Sequence, residues 1–153
     1  MDGKAKLWDV VNHECLVTYS GHSSSLRDVS FAPDGCRFAT WSYDKTVRVW
    51  DTETGVVIQT YVNNAVPYCL RFHPEEPNEL IVGCLTKTIT QYNSSSPKVI
   101  QNYEEHLGAV NSLCFVDNNT KFVSAGDDKK LYIWEFGIPV VLKAISEPSL
   151  DAI

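Results

Sequence analysis

The sequence predicts an all-β protein built of successive four-stranded antiparallel sheets. Three observations carry this: residue ladders at a constant step of 42, short apolar or alternating runs, and turn residues between the runs. Trp8-Asp9, Trp50-Asp51, Tyr92-Asn93 and Trp134-Glu135 stand 42 residues apart. His22, Asn64 and His106 keep the same step, as do Asp2, Asp44, Thr86 and Asp128. Apolar runs of four to eight residues bounded by Gly, Pro, Asn, Asp or Ser read as strands. No stretch sustains the 3.6-residue period of an amphipathic helix.

The elements follow in order. Residues 4–8 and 15–19 form two strands that precede the first full unit. Residues 26–31, 37–41, 46–50 and 56–61 form the first four-stranded unit, with turns at Pro33-Asp34-Gly35, Tyr43-Asp44-Lys45 and Glu53-Thr54-Gly55. Such residues supply the backbone conformations that tight turns need. Residues 68–72, 80–83, 88–92 and 98–103 form the second unit. Residues 110–115, 122–124, 131–134 and 140–145 form the third. The chain thus divides into a half unit at 1–20 and repeats at about 21–62, 63–104 and 105–146. It begins in mid-unit and reads as a fragment of a longer array. An open array leaves sheet faces and strand edges uncovered, so self-association through those edges is expected.

Composition narrows the function. The formal net charge is −6, with 13 basic against 19 acidic residues. Nonspecific nucleic-acid binding relies on Lys and Arg neutralising phosphates, so any RNA contact is expected to be indirect. There is no signal peptide or apolar span, which predicts a reducing compartment and no membrane. The five cysteines, Cys15, Cys36, Cys69, Cys84 and Cys114, form no C-x-x-C pair. They are expected as buried thiols, with neither disulfides nor metal. No P-loop, G-x-G-x-x-G or H-E-x-x-H occurs, so no cofactor or small-molecule substrate is expected. His13 and His73 look isolated in loops. The Ser23–Ser25 and Ser94–Ser96 runs are loop serines open to phosphorylation.

One constellation recurs: His22, Thr40, Asp44 and Trp50, then His106, Ser124, Asp128 and Trp134, each member displaced by 84 residues. A hydroxyl, an imidazole and a carboxylate invite comparison with a catalytic triad. A triad is needed once, whereas this set returns with the repeats, so a structural hydrogen-bond tetrad is expected. The middle repeat has Asn64, Val82, Thr86 and Tyr92-Asn93 at these positions, so its network is expected to be absent. That repeat has either simply degenerated or become a loosened unit that a partner grips. A binding face is expected where the residue before each turn Asp, namely Tyr43, Leu85 and Asp127, meets the inner-strand starts at Arg27, Tyr68 and Asn111. Tyr and Arg are enriched at interface hot spots.

A 40–45-residue period with Gly-His near its start and Trp-Asp near its end resembles the WD-repeat β-propeller. The chain then represents about three and a half blades of a seven-bladed ring. Further runs resemble one splicing-factor family of WD-repeat proteins, known as pre-mRNA-processing factor seventeen or cell-division-cycle protein forty. They are the segment from Val66 to Pro74, His106-Leu107-Gly108-Ala109-Val110-Asn111 with Phe115-Val116-Asp117, Ile138-Pro139-Val140, and Ile145-Ser146-Glu147-Pro148-Ser149. The resemblance implies a nuclear, non-catalytic scaffold of the spliceosome in the second step of splicing, with spliceosomal proteins as partners. The rival expectation is an adaptor of a ubiquitin ligase or signalling complex.

Overall fold

The computed structural model describes residues 2–146; Met1 and the Glu147–Ser149 part of the last run lie outside them. The described residues hold fourteen strands and no helix. A two-stranded sheet comes first: β1 (Lys4–Asp9) and β2 (Glu14–Ser20). The second sheet contains β3 (Leu26–Phe31), β4 (Arg37–Ser42), β5 (Thr46–Asp51) and β6 (Val57–Val62). The third contains β7 (Pro67–Phe72), β8 (Glu79–Cys84), β9 (Ile89–Asn93) and β10 (Val99–Tyr103). The fourth contains β11 (Val110–Val116), β12 (Lys121–Gly126), β13 (Lys130–Glu135) and β14 (Val141–Ser146). Neighbouring strands in each sheet are antiparallel and follow chain order, as short hairpins dictate.

Alternation decides how the sheets stack. Three apolar clusters lie between successive sheets. Tyr19, Phe38 and Trp50 join the first to the second, and Trp41, Val49, Leu70 and Val82 join the second to the third. Ile81, Leu113, Phe122 and Trp134 join the third to the fourth. Strand β7 runs beside β3 on one side and β11 on the other, so the first strand of each four-stranded sheet is the inner one. Every such strand carries a register shift near its start, at Leu26/Asp28, Pro67/Cys69 and Val110/Ser112. These bulges re-aim the side chains that follow.

The two-stranded first sheet has a consequence. Val29 and Phe31 on β3 are each 50% exposed, whereas Leu70 and Phe72 at the matching positions of β7 are 0% and 4% exposed. Leu70 and Phe72 lie under a complete sheet, while Val29 and Phe31 face only β1 and β2. Among the described residues they line a groove of about 310 Å³ together with Ala5, Leu7 and Phe38, beside the edge of β1 that faces away from β2.

The cysteine expectation fails in part. Cys69 and Cys84 are buried, and burial pushes their thiols up to about 12 and about 11. Cys15, Cys36 and Cys114 are exposed. Cys36 lies in a turn, Cys15 on the outer strand of the first sheet, and Cys114 on the strand opening the last sheet. All five are free thiols.

Candidate functional site

The two tetrads form as continuous hydrogen-bonded chains. In the second sheet, the Trp50 Nε1–H donates to Thr40 Oγ1 at 2.8 Å. Thr40 Oγ1 and His22 Nε2 lie 2.8 Å apart, as do His22 Nδ1 and Asp44 Oδ2. Indole can only donate and carboxylate only accept; with the imidazole neutral, as its burial favours, the protons run one way, from Trp50 through Thr40 and the Nδ1–H tautomer of His22 to Asp44. The fourth sheet repeats these contacts. Trp134 Nε1 donates to Ser124 Oγ at 2.8 Å, Ser124 Oγ lies 2.7 Å from His106 Nε2, and His106 Nδ1 lies 2.9 Å from Asp128 Oδ2. Asp44 and Asp128 also accept the backbone N–H of Ser23 and Leu107, fastening the loop before each inner strand to the β4–β5 and β12–β13 turns.

Electrostatics follow from this enclosure. Burial pushes the His22 imidazole down, against the hydrogen bond and charge of Asp44. Burial works to raise the Asp44 carboxyl, but bonds from the Thr46 hydroxyl, His22 and the N–H groups of Thr46 and Ser23 outweigh it and hold it at about 2. Asp128 is likewise lowered despite burial, chiefly by the Leu107 N–H and His106. Both hydroxyls are buried, Thr40 at 1% and Ser124 at 0% exposure. Each already accepts an indole proton and meets an imidazole.

In the third sheet the tetrad is absent, and a smaller contact replaces it. Val82 is fully buried where a hydroxyl stands elsewhere. The Tyr92 hydroxyl donates to Asn63 Oδ1 at 2.7 Å and its ring lies 4.4 Å from Tyr61. The acceptor is Asn63, one residue before the Asn64 that the 42-residue step selects.

Sequence reasoning missed two sets of contacts. Tyr19, Tyr61 and Tyr103 also repeat at 42 and are at most 5% exposed. Each seals a seam: Tyr19 packs edge-on to Trp50 and donates to Thr52 O, and Tyr61 donates to Asn93 O. Tyr103 packs edge-on to Trp134, donates to Gln91 and accepts the Gly137 N–H. Burial pushes the Tyr61 and Tyr103 phenols up to about 12. The period was the available signal. His73 is the second set. It lies in a loop, as expected, but is buried and far from isolated: its Nδ1 accepts the N–H groups of Glu75 and Glu76, and its Nε2 lies 3.0 Å from Asn119 O. No ladder marks it, because the contact depends on two turns meeting in space.

The candidate face residues come together at one end of the sheets. Tyr43, Leu85 and Asp127 each make the same backbone bond, donating N–H to the carbonyls of Ser25, Val66 and Ala109. Tyr43 and Leu85 are 43% and 48% exposed. The Arg27 guanidinium lies over the Tyr43 ring at 5.6 Å, and Tyr68 meets Trp41 edge-on. Asn111 donates to Asp127 at 2.5 Å. Two residues on in the same turns, Lys45, Lys87 and Lys129 occupy left-handed backbone positions, with φ of 66°, 73° and 59°. Among the described residues, no group of three or more His, Cys, Asp or Glu side chains is arranged to hold a metal ion.

Comparison with known proteins agrees with the repeat geometry. The repeat family described as WD domain, G-beta repeat matches residues 13–51 and 97–135, just over half of the chain. The chain belongs to the WD-repeat family. It is 45% identical over 155 residues to Pre-mRNA-processing factor 17 of Mus musculus and, equally, of Homo sapiens, covering 99% of this chain and 27% of each relative. It is 34% identical over 150 residues to Pre-mRNA-processing factor 17 of Saccharomyces cerevisiae, covering 95% of this chain and 33% of that protein. The chain therefore spans about a quarter to a third of the length of these curated relatives.

Proposed function

We propose that this chain is part of a non-catalytic docking scaffold of the spliceosome, located in the nucleus and working in the second step of pre-mRNA splicing. The observation that carries the reading is the 45% identity to Pre-mRNA-processing factor 17 across nearly the whole chain. The buried tetrads support a structural role, since their hydroxyls are saturated by protein groups and closed to a substrate. Docking runs through the end bearing Arg27, Tyr43, Tyr68, Leu85, Asn111 and Asp127, where rigid hairpins hold exposed aromatic and apolar side chains. Partners are spliceosomal proteins, and RNA is reached through them. The groove beside β1 supports self-association with a second copy when no other polypeptide fills it.

The test is affinity purification of the tagged full-length protein at mild salt, read for spliceosomal small nuclear RNAs and proteins. Their co-enrichment, lost with Tyr43→Ala plus Arg27→Ala, is the expected result. A preparation carrying ubiquitin-ligase or signalling subunits and no splicing components overturns it in favour of the adaptor.

A further inference from the structure

The serine run at 94–96 lies at the opposite end of the sheets from the docking face, in the turn between β9 and β10. Its three members differ in presentation: Ser94 is fully buried, Ser96 half-buried and Ser95 exposed. Arg37, at the start of β4 in the neighbouring sheet, reaches across the seam to this turn. Its Nη1 lies 2.9 Å from Asn78 Oδ1, 2.9 Å from Ser94 Oγ and 3.1 Å from Ser95 Oγ. Its Nη2 donates to Asp34 Oδ2 at 3.3 Å. Nη1 carries two protons and faces three neutral acceptors, and the Arg37 side chain as a whole is only 16% exposed. A half-buried cation is thus held against an accessible hydroxyl, with one stretched carboxylate contact as its charge partner.

We propose that Ser95 is a phosphorylation site whose phosphate is received by Arg37. A protein kinase with ATP supplies the group. The Ser95 oxygen bonds to the γ-phosphorus as the bond from that phosphorus to the β–γ bridging oxygen breaks. The hydroxyl proton passes to the kinase's base, ADP leaves, and nothing is oxidised or reduced. The product carries close to two negative charges at neutral pH and three acceptor oxygens. A guanidinium fork matches that geometry with two parallel N–H donors. Asp34, now beside a like charge, gives up Nη2. Lys98, in the same turn, is the other cation of this loop. The modification replaces a cation's shared hydrogen bond to a neutral hydroxyl with an ion pair across the seam between the second and third sheets.

The first test places phosphoserine genetically at position 95 of the full chain and follows its 31P signal with pH. Pairing with Arg37 lowers the proton affinity of the phosphate roughly tenfold relative to the same protein carrying Arg37→Gln. Identical titration in the two proteins overturns the proposal. Should Arg37→Gln fail to fold, Asp34→Asn serves instead: removing the competing carboxylate lowers the proton affinity further, and no change overturns the pairing. The second test maps phosphate on the protein isolated from its own cells. Phosphate on Ser95 is expected, and phosphate confined to Ser94 or Ser96, or absent from the run, overturns the site. Neither readout depends on the splicing partners.

Discussion

Replacing Thr40 with Val isolates the hydrogen bonds of one tetrad, because the two side chains have the same shape and the site is only 1% exposed. The substitution leaves the Trp50 indole N–H without its acceptor and His22 Nε2 without its 2.8 Å partner. Each orphaned buried group costs about 1–3 kcal/mol. The two share one partner and are not strictly additive, so a loss of about 2–5 kcal/mol is expected. In a chain of this size each kcal/mol moves the melting temperature by roughly 2–4 °C, giving a fall of roughly 4–20 °C. The assay is thermal melting and urea denaturation of wild type, Thr40→Val and Thr40→Ser. The serine variant keeps the hydroxyl and should retain most of the stability. Ser124→Ala repeats the experiment in the fourth sheet, with a small added term for the lost packing. Val82→Thr in the third sheet is the control, since it adds a hydroxyl where no indole or imidazole awaits it and should destabilise. If Thr40→Val melts within a degree of wild type, the tetrad does not hold the sheet as argued.

Acid should weaken the fold in two stages. His22 is pushed below its ordinary 6.5, so the unfolded chain gains a proton that the buried imidazole refuses, and stability falls as pH drops below 6.5. Asp44 is depressed from 3.8 to about 2, so its contribution is complete above 3.8 and is lost between 3.8 and about 2. Urea midpoints at pH 7.5, 5 and 3 should decline in order, and Asp44→Ala should lower stability at neutral pH while flattening the last step; a midpoint that rises on acidification contradicts the assignment. His73→Ala should cost about 1–3 kcal/mol by orphaning the Glu75 and Glu76 N–H groups and the Asn119 carbonyl, visible as faster amide exchange at those turns. Tyr43→Ala with Arg27→Ala should abolish partner capture and leave melting within about 2 °C, because these side chains stack on one another at an exposed end; a large loss of stability would assign them to the fold. Phe31→Lys should suppress concentration-dependent association in analytical ultracentrifugation by placing a charge in the groove beside β1, and unchanged association would exclude that groove as the contact.

The fold was readable because its information is local and periodic. Each of the fourteen strands lies where alternation and turn residues place it, with ends differing by at most two residues. The tetrads were readable for the same reason: a 42-residue step puts like residues at like positions of like sheets. A slip in the middle repeat, which forms the third sheet, shows where such counting stops. Its inner-strand aromatic Phe72 stands 41 residues after Phe31, and the β7–β8 turn is one residue longer, which restores the step at Leu80. A ladder of 42 therefore pairs His73 with Phe31, although His73 belongs to the following turn. Asn63 in place of Asn64 as the Tyr92 acceptor is a similar local choice, made by side-chain reach.

By itself the sequence determined the repeat, the strand order, the recurring Trp-to-Asp hydrogen-bond chains and the drift of the middle unit, because each depends on residues within one unit of about 40. The tertiary structure alone decided what lies across the seams. Arg37 on the serine turn and His73 on the Asn119 turn both depend on how one sheet faces the next. That stacking is set by packing and bulges summed over whole faces, and no spacing of residues along the chain encodes it.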